Sequence, residues 1–186
     1  MPRLAVLLVA VLALGGCAAQ PADPIHVPVP DGTEVHTAVT VIDDGDGALL
    51  CPVVLESYPP QCGGDIRVEG WEWDGLPGVQ QEGGVRWGVY DVTGTFDGTT
   101  LTLTQPPTLA DGWPEGQPSH TGSLTPTELA EVRAGVERDV IGYTGIGTAD
   151  GFMHLSVQYD DGSLQAALDE RFGEGAVHVT SLFRDV

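Results

Sequence analysis

Residues 85–105 read VRWGVYDVTGTFDGTTLTLTQ and carry the strongest structural signal in the chain. Apolar side chains alternate with polar ones on both sides of Asp97-Gly98. This period of two is typical of β-strands that bury one face. An Asp-Gly pair favours a tight turn because both residues tolerate positive φ angles. The stretch therefore predicts a β-hairpin with strands at 85–96 and 99–105.

The same period of two extends back towards the N-terminus. Three further runs, separated by Gly and Asp, predict strands at 34–43, 48–56 and 65–73. Five short strands leave open sheet edges unless the sheet closes on itself. The sequence therefore predicts a small closed or half-closed barrel over residues 33–107. The strand count and the irregular insert after the third strand resemble an OB-fold, and an SH3-like barrel or a small sandwich is the alternative.

The apolar period changes to 3.6 after residue 123. Thr125, Pro126 and Glu128 fit the N-cap, N1 and N3 positions of a capping box at the start of a helix. A hairpin around Asp150-Gly151, a second helix capped by Ser163 and a final strand follow. The predicted fold class is therefore mainly β plus α+β: a five-stranded OB-like barrel followed by an α-β-β-α-β module.

The C-terminal module is predicted over residues 124–186, where its last strand, helix and strand favour a parallel crossover. A module of this size is marginal alone, so we expect it to pack against the barrel. Residues 108–123 are rich in Pro and Gly and form either a linker or a packed loop. The stretch LQAALDERFG with the following GAVHVTSLF resembles a module of small secreted proteins of high-GC bacteria, a resemblance that implies no activity.

The N-terminus reads MPRLAVLLVAVLALGGC. The apolar run from Leu4 to Leu14 is shorter than the roughly 20 residues that span a bilayer, and it suits a signal peptide. Leu14-Gly15-Gly16-Cys17 resembles the lipobox of bacterial lipoproteins. The resemblance implies that residues 1–16 are removed and that Cys17 carries a lipid anchor on the outer face of the cell membrane. An ordinary cleaved signal peptide is the alternative, and residues 17–32 are expected to form a Pro-rich tether.

The chain is strongly acidic, with a net charge of −20 from 27 acidic and 7 basic residues. This charge repels nucleic acid, whose binding depends on Lys and Arg that neutralise phosphates. It also repels anionic lipid headgroups, so the membrane is expected as a partner only through the acyl chains. Much of this negative charge lies in predicted tight turns, because eight of the sixteen Asp residues precede Gly.

Cys51 and Cys62 lie within CPVVLESYPPQCGG, residues 51–64. If the protein is exported and Cys17 is lipidated, these two cysteines remain in an oxidising compartment. A metal site would favour C-x₂-C spacing or neighbouring histidines, which are absent here. We therefore expect a disulfide, rather than free thiols or a metal site, that braces a stiff tip containing Tyr58.

Signatures of catalysis, cofactors and metals are missing from the sequence. No G-x-S-x-G, S-x-x-K or HExxH motif occurs, and a phosphate loop would need a lysine that the chain lacks. Residues 43–47, DDGDG, lack the D-x-D-x-D-G spacing of a calcium loop and favour a hairpin tip instead. The five histidines are scattered, although His154 and His178 fall on predicted strands of one module. We expect no cofactor and no metal.

The candidate site residues are aromatic side chains and nearby carboxylates. Trp71 and Trp73 could form a platform for sugar rings, fill the barrel core, or pack against the C-terminal module. Glu69 and Glu72 flank them and are weak candidates for a catalytic acid and base. Tyr58 and Trp113 are further candidates for binding.

The sequence thus favours an exported, membrane-anchored lipoprotein that binds or scaffolds an envelope protein or glycan without catalysis. One alternative is a hydrolase of envelope polysaccharide that uses paired carboxylates. The other is a protease inhibitor that presents the disulfide-braced loop 51–64.

Overall fold

The computed structural model of the protein describes residues 23–30, 32–64, 66–111 and 121–186. The predicted signal peptide and Cys17, most of the predicted 108–123 segment, and Trp113 therefore lie outside the described residues. Among the described helices, neither is long and apolar enough to cross a bilayer.

Strands dominate the described chain, and two helices lie in its C-terminal third. The strands are β1 (Ile25–His26), β2 (Glu34–Asp43), β3 (Leu49–Cys51), β4 (Val54–Leu55), β5 (Gln61–Cys62), β6 (Ile66–Glu69), β7 (Gln80–Glu82), β8 (Val85–Phe96), β9 (Thr100–Leu103), β10 (Thr108–Leu109), β11 (Val140–Ile141), β12 (Gly145–Ala149), β13 (Phe152–Tyr159) and β14 (Val177–Asp185). The helices are α1 (Pro126–Asp139) and α2 (Ser163–Phe172).

Five strands close into a barrel in the order β2-β3-β6-β9-β8 and back to β2. All neighbours in this ring are antiparallel except β6 and β9, which are parallel. The ring confirms the predicted five-stranded barrel. Its order, with the third and fifth barrel strands paired in parallel, fits the OB-like arrangement rather than two packed sheets.

The long strand β8 closes the barrel because its two faces alternate in burial. Tyr90, Val92 and Phe96 point inwards, and the residues between them are only partly buried. Gly94 also points inwards at the place where β8 leaves β10 and pairs with β9. A Cβ at Gly94 would lie 2.2 Å from the carbonyl oxygen of Thr102, so only glycine permits this close approach of two backbones.

The barrel core is continuous with side chains from the last strand of the chain. The rings of Phe96 in β8 and Phe183 in β14 have centroids 4.5 Å apart. Tyr159 of β13 joins the same buried cluster. The C-terminal strands thus close one end of the barrel. The buried apolar residues of this cluster are Val35, Val39, Val41, Ala48, Leu50, Ile66, Trp73, Tyr90, Val92, Phe96, Leu101, Tyr159 and Phe183.

The C-terminal module shares its sheet with the barrel. β13 pairs with β12 as a hairpin around Asp150-Gly151 and pairs in parallel with β14, as the sequence predicts. The end of β14 then pairs with the start of β2 through Asp185 and Val35. This pairing joins the barrel and the module into one ten-stranded sheet. The expected packing of the module against the barrel is therefore realised through backbone hydrogen bonds as well as side chains.

The sequence predicted the start of α1 correctly but not the cap of α2. Thr125 caps α1, with the full capping box to Glu128 and with Pro126 in the first turn, as predicted. The predicted cap of α2 was wrong, because Gly162 occupies the N-cap position and Ser163 is the first helical residue. Asp160 replaces the cap side chain, since its Oδ1 accepts a hydrogen bond from the Leu164 amide at 3.0 Å.

Three predicted strands are shorter than expected, and the fifth covers only Thr100–Leu103 of the predicted 99–105. The second ends at Cys51 because Pro52 has no amide proton to continue the ladder. The third ends at Glu69, and Gly70 turns the chain with a φ of 82°. Trp71 and Trp73 therefore lie in the loop after β6 and not on a strand.

Part of the predicted tether is folded. Ile25 and His26 pair in parallel with Val140 and Ile141 of the C-terminal module. The Val27 amide donates a further hydrogen bond to the carbonyl of Ile141 at 3.0 Å. A two-residue strand has no periodicity to detect, which is why the Pro-rich composition alone predicted an extended segment.

Candidate ligand site at the barrel mouth

A cavity of about 510 Å³ opens at the end of the barrel where β2 ends and β8 begins. We call this end the barrel mouth. Three parts of the chain form its wall: Asp43 and the turn that follows β2, residues 70–74 after β6, and Arg86 at the start of β8. The period of β2 and β8 turns the side chains of Asp43 and Arg86 towards the barrel axis, because they continue the inward rows of Val41 and Tyr90.

Asp43 connects all three parts of this wall. Its Oδ1 accepts hydrogen bonds from the amides of Gly45 and Gly47 at 2.9 and 3.3 Å. Its Oδ2 accepts from Trp73 Nε1 and from Arg86 Nη2, both at 2.8 Å. The side chain is buried, and both carboxylate oxygens are fully engaged. Asp43 therefore acts as a fixed acceptor that holds the turn, the tryptophan loop and β8 together.

The charge state of Asp43 follows from these contacts. Burial alone would raise the pKa of the Asp43 carboxyl. The hydrogen bonds from Gly45, Trp73 and Arg86, together with the Arg86 charge, outweigh burial and hold that pKa below its ordinary value. Asp43 is thus a carboxylate at neutral pH, paired with an arginine whose side chain is 38 % exposed.

Arg86 also lies over the Trp73 ring, with its guanidinium carbon 5.4 Å from the ring centroid. A cation at this distance is attracted to the face of an indole. Trp73 is therefore fixed twice, through its indole nitrogen by Asp43 and through its ring by Arg86. This arrangement makes the inner wall of the cavity rigid before any ligand arrives.

Three aromatic rings fill the barrel beneath the cavity. The centroids of Trp71 and Trp73 are 5.2 Å apart, and those of Trp71 and Tyr90 are also 5.2 Å apart, both edge to face. The Tyr90 hydroxyl donates to the carbonyl of Pro77 at 2.9 Å, and burial raises the pKa of Tyr90. Gly88 leaves the space that the Tyr90 ring occupies, since a Cβ there would lie 2.6 Å from it.

The two tryptophans have different environments. Trp73 is only 8 % exposed and belongs to the barrel core. Trp71 is half-buried and faces the cavity, so part of its surface is available to a ligand. The indole nitrogen of Trp71 is buried and has no hydrogen-bond partner among the described residues. A buried donor without an acceptor is uncommon and costly, and it marks a position where an acceptor would be stabilised.

A second cavity of about 390 Å³ borders the first. The two cavities share Gly70, Glu72 and Asp74, and the second extends to residues 103–107 at the end of β9. Together they follow a groove with exposed carboxylates along its middle and the Trp71 ring on one side. This shape suits an extended ligand more than a compact one.

The structure brings together some of the predicted site residues and separates others. Trp71, Glu72 and Trp73 line one cavity. Glu69 is exposed on β6, where its Oε2 accepts from Thr102 Oγ1 at 3.4 Å, and it does not line that cavity. The Glu69 and Glu72 carboxylates therefore do not face each other across the groove.

Tyr58 lies on a separate part of the molecule. Cys51 and Cys62 form the predicted disulfide, and β4 and β5 pair within the loop that it closes. Tyr58 is 77 % exposed near the tip of this loop, and its ring meets the edge of Trp87 with centroids 6.0 Å apart. The Tyr58–Pro59 peptide bond is cis. Loop 51–64 thus covers the outer face of the barrel and does not reach into the groove.

Sequence reasoning missed Asp43 and Arg86. Asp43 was interpreted as part of a hairpin tip, and its Oδ1 does accept from the turn amides as that interpretation predicts. The position of Asp43 in the inward-facing row of β2 could have indicated its contacts with Trp73 and Arg86, because a buried charged residue needs a partner. Within the described residues, no group of three or more His, Cys, Asp or Glu is arranged to hold a metal ion.

The fold and the site together define a small closed β-barrel with an aromatic, acidic groove at one end. No family model, curated protein or solved structure matches the chain. Its function is therefore argued from its own residues.

Proposed function

We propose that this protein is an exported lipoprotein, anchored through Cys17, that binds an envelope glycan in the groove at the barrel mouth without catalysis. The leader and the lipobox resemblance of residues 14–17 support the anchor. The disulfide between Cys51 and Cys62 supports an oxidising compartment, because such bonds are rare in reducing cytosol. Both features support a position of the folded part on the outer face of the bacterial membrane.

Binding is favoured over catalysis because hydrogen bonds within the protein already occupy both carboxylate oxygens of Asp43. A catalytic acid at neutral pH needs a raised pKa and a free position towards the substrate. The pKa of Asp43 is lowered instead, and its oxygens are held by the turn, Trp73 and Arg86. Asp43 therefore forms a fixed, charged floor of the groove and is not placed to act as a catalytic acid.

The chemistry of the groove favours an uncharged glycan. Glu72 and Asp74 are exposed carboxylates that accept hydrogen bonds from hydroxyl groups and repel anionic ligands. The exposed part of Trp71 offers an apolar face to a sugar ring. The two adjoining cavities give the groove room for more than one sugar unit.

Co-sedimentation with isolated envelope polysaccharide tests this proposal. The variants Glu72→Gln and Asp74→Asn remove charged acceptors that lie in the groove. Because a hydrogen bond to a charged group contributes about 1.5–3 kcal/mol, each variant is expected to weaken binding roughly tenfold or more. Glu69→Gln is the matched control, since it changes the same chemical group on β6 outside both cavities.

The outcomes separate the possible partners. Binding by the wild type and by Glu69→Gln, with loss in Glu72→Gln and Asp74→Asn, supports the glycan. If the wild type captures an envelope protein in place of the polysaccharide, and the capture depends on Glu72 and Asp74, the ligand of the groove is a protein. Equal binding by all four proteins would contradict the groove as the site.

A second candidate function rests on Tyr58. This side chain is the most exposed of the large apolar residues that the structure describes, and it stands on a disulfide-closed loop. A rigid exposed loop is the part that a protease inhibitor presents to its target. Inhibition of an envelope protease by the wild type, lost in Tyr58→Ala and retained in Glu72→Gln, would favour this function over glycan binding.

A further inference from the structure

The second cavity of the groove has an apolar wall that the first cavity lacks. The side chains that form this wall are Leu76, Leu103, Pro106 and Pro107. Leu76 and Leu103 are partly buried and pack against the barrel core, so the fold fixes their positions before a ligand arrives. Sugar hydroxyl groups gain nothing from such a wall, whereas an apolar substituent on the sugar is stabilised by contact with it.

Gly70 joins the apolar wall to the tryptophan side of the groove. It lines both cavities, and a Cβ at this position would lie 3.7 Å from the Cβ of Leu103. The next residue along the chain is Trp71, whose half-buried side chain lines the first cavity. A ligand that contacts Trp71 and continues past Gly70 therefore meets the apolar wall.

Polar groups of two kinds accompany this wall. Glu72 and Asp74 are exposed carboxylates that border both cavities, and as carboxylates they only accept hydrogen bonds. Gln105 is exposed in the second cavity, and its side-chain amide can donate as well as accept. The Thr104 hydroxyl in the same cavity already donates to Glu34. The second cavity thus combines an apolar wall with two carboxylate acceptors and an amide donor.

An acetamido group presents the complement of this combination. Its methyl group matches the wall, its N–H matches a carboxylate of Glu72 or Asp74, and its carbonyl oxygen matches the Gln105 amide. A plain hydroxyl group at the same place on a sugar would use the polar groups alone. The second cavity therefore fits a sugar that carries an N-acetyl group better than one that carries only hydroxyl groups.

The charges around the groove oppose ionised substituents. Among the described residues that line either cavity, Arg86 is the only basic one, and Asp43 already binds its guanidinium. A carboxylate or phosphate on the sugar would find no free cation. A free amine would be attracted to Glu72 and Asp74, but its ammonium group would lose water beside the apolar wall, which is costly.

We propose that the glycan bound in the groove carries N-acetyl groups, and that the second cavity receives the acetamido group of one sugar unit while Trp71 contacts the neighbouring unit. This inference rests on the proposed glycan-binding function. It deepens that function because it names the substituent by which the groove distinguishes one uncharged glycan from another.

Calorimetric titration with three soluble oligosaccharides of equal length tests the assignment. Oligomers derived from chitin, cellulose and chitosan share one β-linked backbone and carry an acetamido group, a hydroxyl group or a free amine at the same ring position. The titrations use physiological salt, which screens non-specific attraction of the amine oligomer to this acidic chain. We expect the chitin oligomer to bind roughly tenfold more tightly than the cellulose oligomer, because a buried methyl group and an added hydrogen bond both contribute.

Two variants locate the selectivity in the second cavity. Leu76→Ala removes part of the apolar wall and is expected to lower the preference for the chitin oligomer over the cellulose oligomer by about threefold. Gln105→Ala removes the amide donor and is expected to lower the same preference, and its exposed side chain can be removed without opening the core. Leu55→Ala is the matched control, because Leu55 is 47 % exposed on loop 51–64 and lines neither cavity.

Failure of the assignment and failure of glycan binding give different results. Equal affinity of the wild type for the chitin and cellulose oligomers, or tighter binding of the chitosan oligomer, would overturn the N-acetyl assignment and leave glycan binding intact. An unchanged preference in both Leu76→Ala and Gln105→Ala would overturn the role of the second cavity. If the wild type binds neither the oligomers nor the isolated envelope polysaccharide, the proposed function itself is wrong.

Discussion

Asp43 shows how one side chain can organise a site that no sequence motif marks. It joins a turn, a loop and a strand that are far apart in sequence, through four hydrogen bonds from Gly45, Gly47, Trp73 and Arg86. Removing the charge leaves Arg86 without its carboxylate and weakens the bond to the Trp73 indole. The rigid floor of the groove therefore depends on this residue more than on the tryptophans themselves.

Asp43→Asn is expected to lower the free energy of unfolding by about 2 kcal/mol, a value within the range for hydrogen bonds to a charged group. Urea unfolding followed by tryptophan fluorescence measures this change. Asp44→Asn is the matched control, because Asp44 is exposed and its carboxylate makes one bond of 3.4 Å to the Asp46 amide. Equal destabilisation by the two variants would show that Asp43 has no special role.

The effect of Asp43 depends on pH in a defined direction. The pKa of Asp43 is lower in the folded protein than in the unfolded chain. Its contribution is therefore complete above the unfolded pKa of about 3.9 and is lost as the pH falls through the folded value. The difference in unfolding free energy between wild type and Asp43→Asn is expected to be constant near neutral pH and to shrink below about pH 4.

Unfolding curves at a series of pH values measure that difference. The pKa of Asp97 is also lowered, by hydrogen bonds from Thr99 and Thr100, but this residue is present in both proteins and cancels in the comparison. A difference that persists unchanged well below pH 4 would show that the Asp43 carboxylate charge is not the source of the stabilisation.

Among the candidate residues, the sequence located the tryptophans but not their separate environments. The alternation of WEW placed Trp71 and Trp73 on one face of a predicted strand. Gly70 instead ends that strand, so one ring enters the core while the other stays half-buried at the groove. The partners of Asp43 come from three segments, and local periodicity has no information about which segments meet.

At the scale of elements, β2 and β8 were predicted with their observed bounds, 34–43 and 85–96. Both are long, and alternation runs through the first half of β2 and the second half of β8, so most of their burial pattern is visible in the sequence alone. The shorter strands were predicted too long, because the pairing that ends them depends on neighbours. No apolar periodicity in the sequence indicates β1, which is defined only by its pairing with β11.

The β8–β9 contact makes a second prediction. Gly94→Ala would place a Cβ against the backbone of Thr102, which cannot move without breaking the barrel ladder. We expect it to lower the unfolding free energy by about 3 kcal/mol, the upper end for overpacking in a core. Gly147→Ala in β12 is the matched control, since a Cβ there meets no atom within 4 Å.

Chemical denaturation of the two alanine variants checks this expectation. Gly147→Ala should be neutral or slightly stabilising, because alanine restricts the unfolded chain more than glycine does. A Gly94→Ala protein as stable as Gly147→Ala would contradict the close approach at β8 and β9.

The disulfide gives a further prediction at this scale. Replacing Cys51 and Cys62 together with serine is expected to lower the unfolding free energy by about 2–3 kcal/mol, because the bond closes a short loop in the unfolded chain. Reductant should destabilise the wild type by a similar amount and leave the double variant unchanged. If the wild type gives the same unfolding curve with and without reductant, the bond has no stabilising role.

At the scale of the whole molecule, the sequence predicted two modules and the structure joins them in one sheet. The joining contact pairs Val35 with Asp185, near the two ends of the folded chain. Local patterns predict each element, but a pairing across nearly the whole chain depends on register, which a single sequence does not display. The same limit explains why the segment after the predicted anchor was interpreted as a tether.

The attachment of lipid at Cys17 is the claim on which the proposed location and ligand class both depend. Mass spectrometry of the N-terminal peptide, taken from protein purified out of native membranes, tests it most directly. We expect a peptide that begins at Cys17 and carries the mass of a diacylglyceryl group on its thiol. A mature N-terminus at any other residue, or an unmodified Cys17, would contradict it.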